Sequence, residues 1–184
     1  MNLNEKDTKK YILITLIIMF IGSVALAWYM SSNMHTDVSK ERFRLTKIYK
    51  KIKDETYAYD KVKGKQVYMN LCMRCHKADG TGSGMYPPLA NSKSPIISDP
   101  AKLVAVGIHG LQGPIVRSDI TYSGAMPGFK RVDTTDLTHV LNFVRKELNQ
   151  YEDVIIHKTV IEAKIDTITR ATPYSESELN TIAN

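Results

Sequence analysis

Two cysteines in 184 residues exclude a disulfide-stapled framework. With only 10 glycines and 7 prolines the chain is neither collagen-like nor low in complexity, and no internal repeat runs through it. The length holds one ordinary domain plus an extra segment and leaves no room for two large domains. A general excess of one charge is missing as well. The formal net charge is +6, yet residues 64–184 carry thirteen basic against twelve acidic side chains, while residues 31–63 carry nine against five. Basicity therefore belongs to an N-terminal arm rather than to the body of the protein, which is a poor footprint for nucleic acid, and no nucleic-acid partner is expected.

Charge disappears altogether from Tyr11 to Met30, YILITLIIMFIGSVALAWYM. At about 1.5 Å per residue, a helix of that length crosses a hydrocarbon core of about 30 Å. Lys6, Lys9 and Lys10 precede the run, and Trp28 and Tyr29 stand where an interfacial aromatic belt would lie. Ala25-Leu26-Ala27 has the small-x-small form of a signal cleavage site, but the run exceeds the usual apolar region of about 7–15 residues. No cysteine lies near its end, which excludes a lipoprotein anchor. The expectation is an uncleaved transmembrane anchor over residues 11–30 that takes the lipid bilayer as partner, after a terminal segment at 1–10. Basic residues flank both sides, so the charge bias leaves the orientation open.

Residues 31–56 are expected to form a basic stalk. Asp37 or Ser39 could cap a helix there, and Phe43, Leu45, Ile48 and Ile52 make a thin apolar stripe. Such a stripe suits a solvated helix or spacer, or a helix lying against a partner or on anionic headgroups.

Both cysteines fall in one motif, Cys72-Met73-Arg74-Cys75-His76. A structural zinc site would need a second ligand pair. A thioredoxin-like dithiol would need a preceding strand and a helix that starts at the first cysteine. Here the cysteines close an apparently helical segment and a histidine follows directly. CxxCH is the attachment motif of a c-type haem: two thiols one turn apart reach the two vinyl groups, and the adjacent imidazole stands under the iron. The following stretch, Lys77 to Leu89, alternates glycine with small residues and reads as a loop. Without a preceding strand and a Lys-Ser/Thr pair it does not read as a phosphate loop.

The surroundings resemble class I c-type cytochromes over residues 57–150. Gly64, Tyr68 and Cys72 lie four apart on one helical face, and Leu137, Val140, Leu141, Val144 and Leu148 line a final helix, Thr134–Asn149, with Asp133 or Thr134 as its cap. The resemblance implies an all-α fold: one transmembrane helix, a helical stalk and a small cytochrome c domain around one covalent haem c. It further implies Cys72 and Cys75 as attachment points and His76 as an iron ligand. The carbonyl of Pro88 would accept the imidazole N–H, and Met126, in Gly124-Ala125-Met126-Pro127, would be the sixth ligand. Met85 is the other thioether in reach, and His35, His109, His139 and His157 are the histidine competitors.

The stretch Gly107–Ile115 is similar to the cytochrome domains of bacterial copper nitrite reductases and alcohol dehydrogenases. Residues 151–184 resemble their tails more loosely and are expected to wrap the haem domain, with no task assigned. Haem attachment of this type takes place outside the cytoplasm. The resemblance therefore implies a single-pass protein of the bacterial inner membrane, with residues 1–10 cytoplasmic and the haem domain periplasmic. The function implied is one-electron transfer to or from a respiratory complex, an oxidase, a reductase or a quinol-oxidising assembly. The other reading is a haem-based gas or redox sensor whose distal ligand is labile.

Overall fold

The computed structural model describes residues 5–52 and 58–182, leaving out the side chains of residues 5–8. The end of the expected stalk, from Lys53 to Thr56, and the expected first residue of the haem domain, Tyr57, lie outside the described residues, as do residues 1–4. The chain divides into two compact units, one up to Arg44 and one from Leu45 onward.

The first helix, α1, covers Glu5–Ile52, taking in both the apolar run and the greater part of the basic arm. Neither Asp37 nor Ser39 starts a new helix. Between Ser23 and Lys63 there is no glycine or proline to break one. The hydroxyls of Ser32 and Thr36, which could have favoured a turn, donate instead to the carbonyls of Tyr29 (2.9 Å) and Asn33 (2.7 Å) inside the helix. Its N-terminal part is long and apolar enough to cross a membrane, and it exposes large apolar side chains such as Phe20 and Trp28. Of the apolar stripe, Leu45 is buried and Phe43 is exposed.

The second unit is mostly helical. Aspartates start three of its helices, each lending a carboxylate to the unpaired N–H groups of a first turn. Asp60 accepts from Lys63 N ahead of α2 (Lys61–Leu71). Asp99 accepts from Ala101 N and Lys102 N ahead of α5 (Pro100–His109), where Pro100 in the first turn has no N–H to leave unpaired. Asp133 accepts from Thr135 N ahead of α6 (Thr134–Asn142). Between them lie two single turns, α3 (Met73–His76) and α4 (Pro95–Ser98). The final helix continues beyond α6 as a π-helical turn, Phe143–Glu147, which periodicity did not foretell. Within that turn the consecutive side chains Phe143, Val144 and Arg145 are all buried. Four short strands, β1 (Gly110–Leu111), β2 (Ile115–Arg117), β3 (Ile120–Tyr122) and β4 (Met126–Pro127), form two antiparallel pairs, β1 with β4 and β2 with β3.

The helices α2 and α6 cross closely because Gly64 has no side chain. A Cβ there would stand 2.7 Å from the carbonyl oxygen of His139 and 3.0 Å from Cβ of Phe143. One turn on, the Tyr68 ring packs 5.2 Å from that of Phe143, and its hydroxyl donates to Lys77 O at 2.9 Å, just past the CxxCH motif. Leu137, Val140, Leu141 and Val144 face the same core with Val104 and Ile108 of α5. Each such side chain contributes roughly 1.5–3 kcal/mol through removal from water. Residues beyond Asn149 continue into α7 (His157–Asp166) and a final turn, α8 (Glu176–Leu179). Asn142, fully buried, ties this tail to α6: it accepts from Ile155 N and donates to Ile155 O, both at 2.8 Å.

Candidate functional site: an apolar cleft above the CxxCH turn

Cys72 ends α2 and Cys75 and His76 lie in the following turn α3, so a single change of helix direction delivers all three side chains to one place. They line a cleft with about 1220 Å³ of empty space including its open mouth. The walls are apolar, with Ile97, Leu103, Val106, Leu137 and Val140 among them. Arg117 is the only Lys or Arg in its lining.

His76 is 7% exposed, and its Nδ1 lies 2.9 Å from the carbonyl oxygen of Pro87. A carbonyl can only accept, so Nδ1 carries the proton and Nε2 keeps its lone pair for a ligand. Burial lowers the affinity of the imidazole for a second proton, partly offset by the Pro87 bond, which keeps the ring neutral. The sequence reading placed this bond on Pro88; the structure corrects it to Pro87. The residue before a proline is held extended, and successive carbonyls along such a segment point in different directions, so only one of the pair can face the ring. Gly82 shapes this approach with φ +73°, and a Cβ there would meet Tyr86 O at 2.5 Å. Tyr86, which sequence reasoning passed over, stands edge-on to His76 with ring centroids 6.4 Å apart.

Burial, and then the neighbouring Cys75, push the Cys72 thiol up to about 12. Such a thiol is protonated near neutral pH and is a poor attacking nucleophile, which counts against a dithiol oxidoreductase. Among the described residues no group of three or more His, Cys, Asp or Glu side chains could hold a metal ion, so the zinc reading of the CxxC also lapses.

Met126 lines the same cleft, presented by β4, whose partner is β1 with Leu111 opposite Met126 and Gly110 opposite Pro127. Met85 lines it too, but is 69% exposed. None of the histidine competitors is among the lining residues. His35 is exposed on α1. His139 accepts from Asp60 N at 3.2 Å, His157 lies 2.7 Å from the Thr134 hydroxyl, and His109 lies 2.6 Å from that of Thr167.

Comparison with known proteins matches residues 62–147 to the cytochrome c family. The chain carries a cytochrome c domain. The cytochrome c subunit of quinone alcohol dehydrogenase from Gluconobacter oxydans is 40% identical over 85 residues, 45% of this chain and 18% of that protein. The corresponding subunit from Gluconacetobacter polyoxogenes is 37% identical over 87 residues, 46% of this chain and 18% of that protein. Cytochrome c-552 of Thermus thermophilus is 32% identical over 85 residues, 44% of this chain and 64% of its own length. The chain thus matches under a fifth of the length of the dehydrogenase subunits.

The cofactor of the cytochrome c domain is a covalently bound haem c, and the cleft suits it. Apolar walls exclude water from a macrocycle, two thiols stand one turn apart, and the Pro87 carbonyl holds the imidazole by its Nδ1–H, which leaves Nε2 free. Electron transfer is the general task of such a domain.

Proposed function

We propose that this chain is a membrane-anchored electron-transfer component of a bacterial respiratory system, with its haem domain on the periplasmic side. In this reading Cys72 and Cys75 hold the haem through thioethers, while His76 and Met126 are the axial ligands. The observation that carries it is the shared cleft: both cysteines, His76 and Met126 line it, whereas His35, His109, His139 and His157 do not. The haem supplies a one-electron couple whose potential a thioether ligand raises relative to a second histidine. Pro87 orients His76 and strengthens it as a donor. Arg117, with a side chain only 13% exposed, lines the cleft with its guanidinium paired to Glu176 at 2.6 Å. Residues 11–30 serve as the anchor, residues 31–56 as the stalk and residues 57–150 as the haem domain. The partner is a respiratory oxidoreductase, met through a small contact of under about 1,200 Å² in total if the encounter is transient.

Two measurements test the reading. Native membranes are solubilised in mild detergent, run on a native gel and stained for haem, and the chains under the band are identified by mass. A haem band that carries stoichiometric redox companions makes the chain a fixed subunit, and one at monomer-plus-micelle size makes it a tethered donor. A band without haem refutes both. Carbon monoxide is then added to the reduced protein at neutral pH. Both axial positions being filled, no rapid spectral change is expected; a rapid shift would replace electron transfer with a gas-binding role.

A further inference from the structure

The tail beyond the matched residues makes a set of contacts that converge on the strand behind Met126. On one side β1 carries β4, with Leu111 opposite Met126. On its other side Tyr174 forms a parallel bridge with Leu111: Tyr174 N donates to Gly110 O at 3.1 Å, and Gln112 N donates to Tyr174 O at 2.8 Å. A ladder of two residues on two residues is too short to hold itself against water. The tail gives it a third member, so that β1 is paired on both edges.

That third member is itself fixed. The guanidinium of Arg170 lies 3.6 Å from the centroid of the Tyr174 ring and donates to Thr172 O at 2.9 Å, Pro173 O at 3.0 Å and Glu178 at 3.0 Å. Glu176 pairs with Arg117 at 2.6 Å. Ser175 and Glu178 close a reciprocal cap on α8. The Tyr174 ring stands edge-on to His109, with centroids 5.8 Å apart. The Thr167 hydroxyl donates to Ala163 O, so it accepts from Nε2–H of His109 at 2.6 Å. The last residue of α5, directly before β1, is thereby held by the tail as well.

We propose that residues Thr167–Glu178 are a strap that positions Met126, with Tyr174 and His109 as its positioning residues. The strap acts through β1, and none of its residues lines the cleft. It holds β4 at the depth where the thioether reaches the iron, and it lowers the rate at which that ligand leaves. The inference rests on Met126 being the sixth ligand.

The test uses the full-length, haem-loaded protein in detergent and three readouts: the far-red sulfur-to-iron band of the oxidised form, the midpoint potential, and the rate at which added imidazole replaces the sixth ligand. Tyr174→Ala should speed imidazole entry by roughly 2- to 30-fold, the span reported for coupling through packed neighbours, weaken the band and lower the potential. Tyr174→Phe keeps the ring and the backbone ladder and should restore wild-type behaviour. Should Tyr174→Ala fail to load haem, Arg170→Ala and Thr167→Val loosen the same strap from its outer side and should shift the three readouts in the same direction. Variants whose tails exchange backbone protons faster, yet whose band, potential and imidazole rate stay at wild-type values, would reduce the strap to packing and overturn the proposal. A wild-type protein that lacks the sulfur-to-iron band would instead remove Met126 as ligand, and the strap's role would fall with it.

Discussion

Replacing Gly64 by alanine sets two effects of known size against each other. Alanine is the better helix former, by about 0.8–1.0 kcal/mol in a helix interior, and α2 is exposed on its outer face, so an isolated α2 would gain that amount. In the folded domain the new Cβ stands 2.7 Å from the backbone oxygen of His139, 3.0 Å from Cβ of Phe143 and 3.2 Å from the Tyr59 ring. The first two atoms belong to the neighbouring helix and cannot rotate away, so α2 and α6 must separate. Overpacking of this kind costs about 1–3 kcal/mol. The net expectation is a loss of about 0–2 kcal/mol, and Gly64→Val, with two further methyl groups, should lose more. Denaturant unfolding of the haem-loaded protein, followed by far-ultraviolet circular dichroism, gives the difference at constant m-value. Stabilisation by about 1 kcal/mol in Gly64→Ala, the pure propensity gain, would show that α2 and α6 do not meet at this residue, and the account of how Cys72 is brought to the cleft would be wrong.

Cys75→Ala should leave one thioether, so that haem is lost more readily during denaturing electrophoresis; full retention of haem stain would mean that Cys72 alone carries the attachment. Arg145→Met removes a side chain only 1% exposed that donates to Ile97 O and Ser98 O (3.0 Å for the latter) and pairs with Asp153. The buried Ile97 carbonyl and the half-buried Ser98 carbonyl lose a charged donor, so a loss of roughly 2–4 kcal/mol in denaturant unfolding is expected, and a neutral result would argue that water replaces the guanidinium. Burial, then the positive charges of Lys130 and Arg170, lower His109 from 6.5 to about 4. The unfolded chain therefore binds a proton between those values that the folded one refuses, and stability falls as pH drops from about 6.5 towards 4. His109→Gln should flatten part of that slope in pH-dependent melts, and an identical slope would assign the effect to other groups.

Much of the site is legible in the sequence. The spacing of Cys72, Cys75 and His76 reflects the reach of one helical turn, and Asp133 announced a helix start because a short carboxylate can satisfy first-turn N–H groups. The apolar face of Leu137, Val140, Leu141 and Val144 was read from its period and is buried as that period requires. Pro88 was named where Pro87 bonds, because sequence does not say which of two adjacent carbonyls turns inward. The caps assigned to Asp37 and Ser39 failed because capping residues mark a helix start only where something ends the helix before them. Arg117 and Tyr86 carried no motif. Their importance comes from lining a cleft assembled from segments far apart in the chain.

By itself, then, the sequence determined the local and periodic features of this protein. These are an apolar run long enough to span a bilayer, a haem-attachment turn and an amphipathic final helix, all set by interactions within about one turn of chain. Tertiary structure decided what depends on distant segments meeting. It brought Met126, and none of the four competing histidines, into the cleft that His76 lines. It also brought a tail without any recognisable motif to the edge of β1, with Tyr174 bridged to Leu111 63 residues earlier in the chain. Backbone hydrogen bonds of that kind use the N–H and C=O that nearly every residue carries, so no pattern of side chains could have announced them.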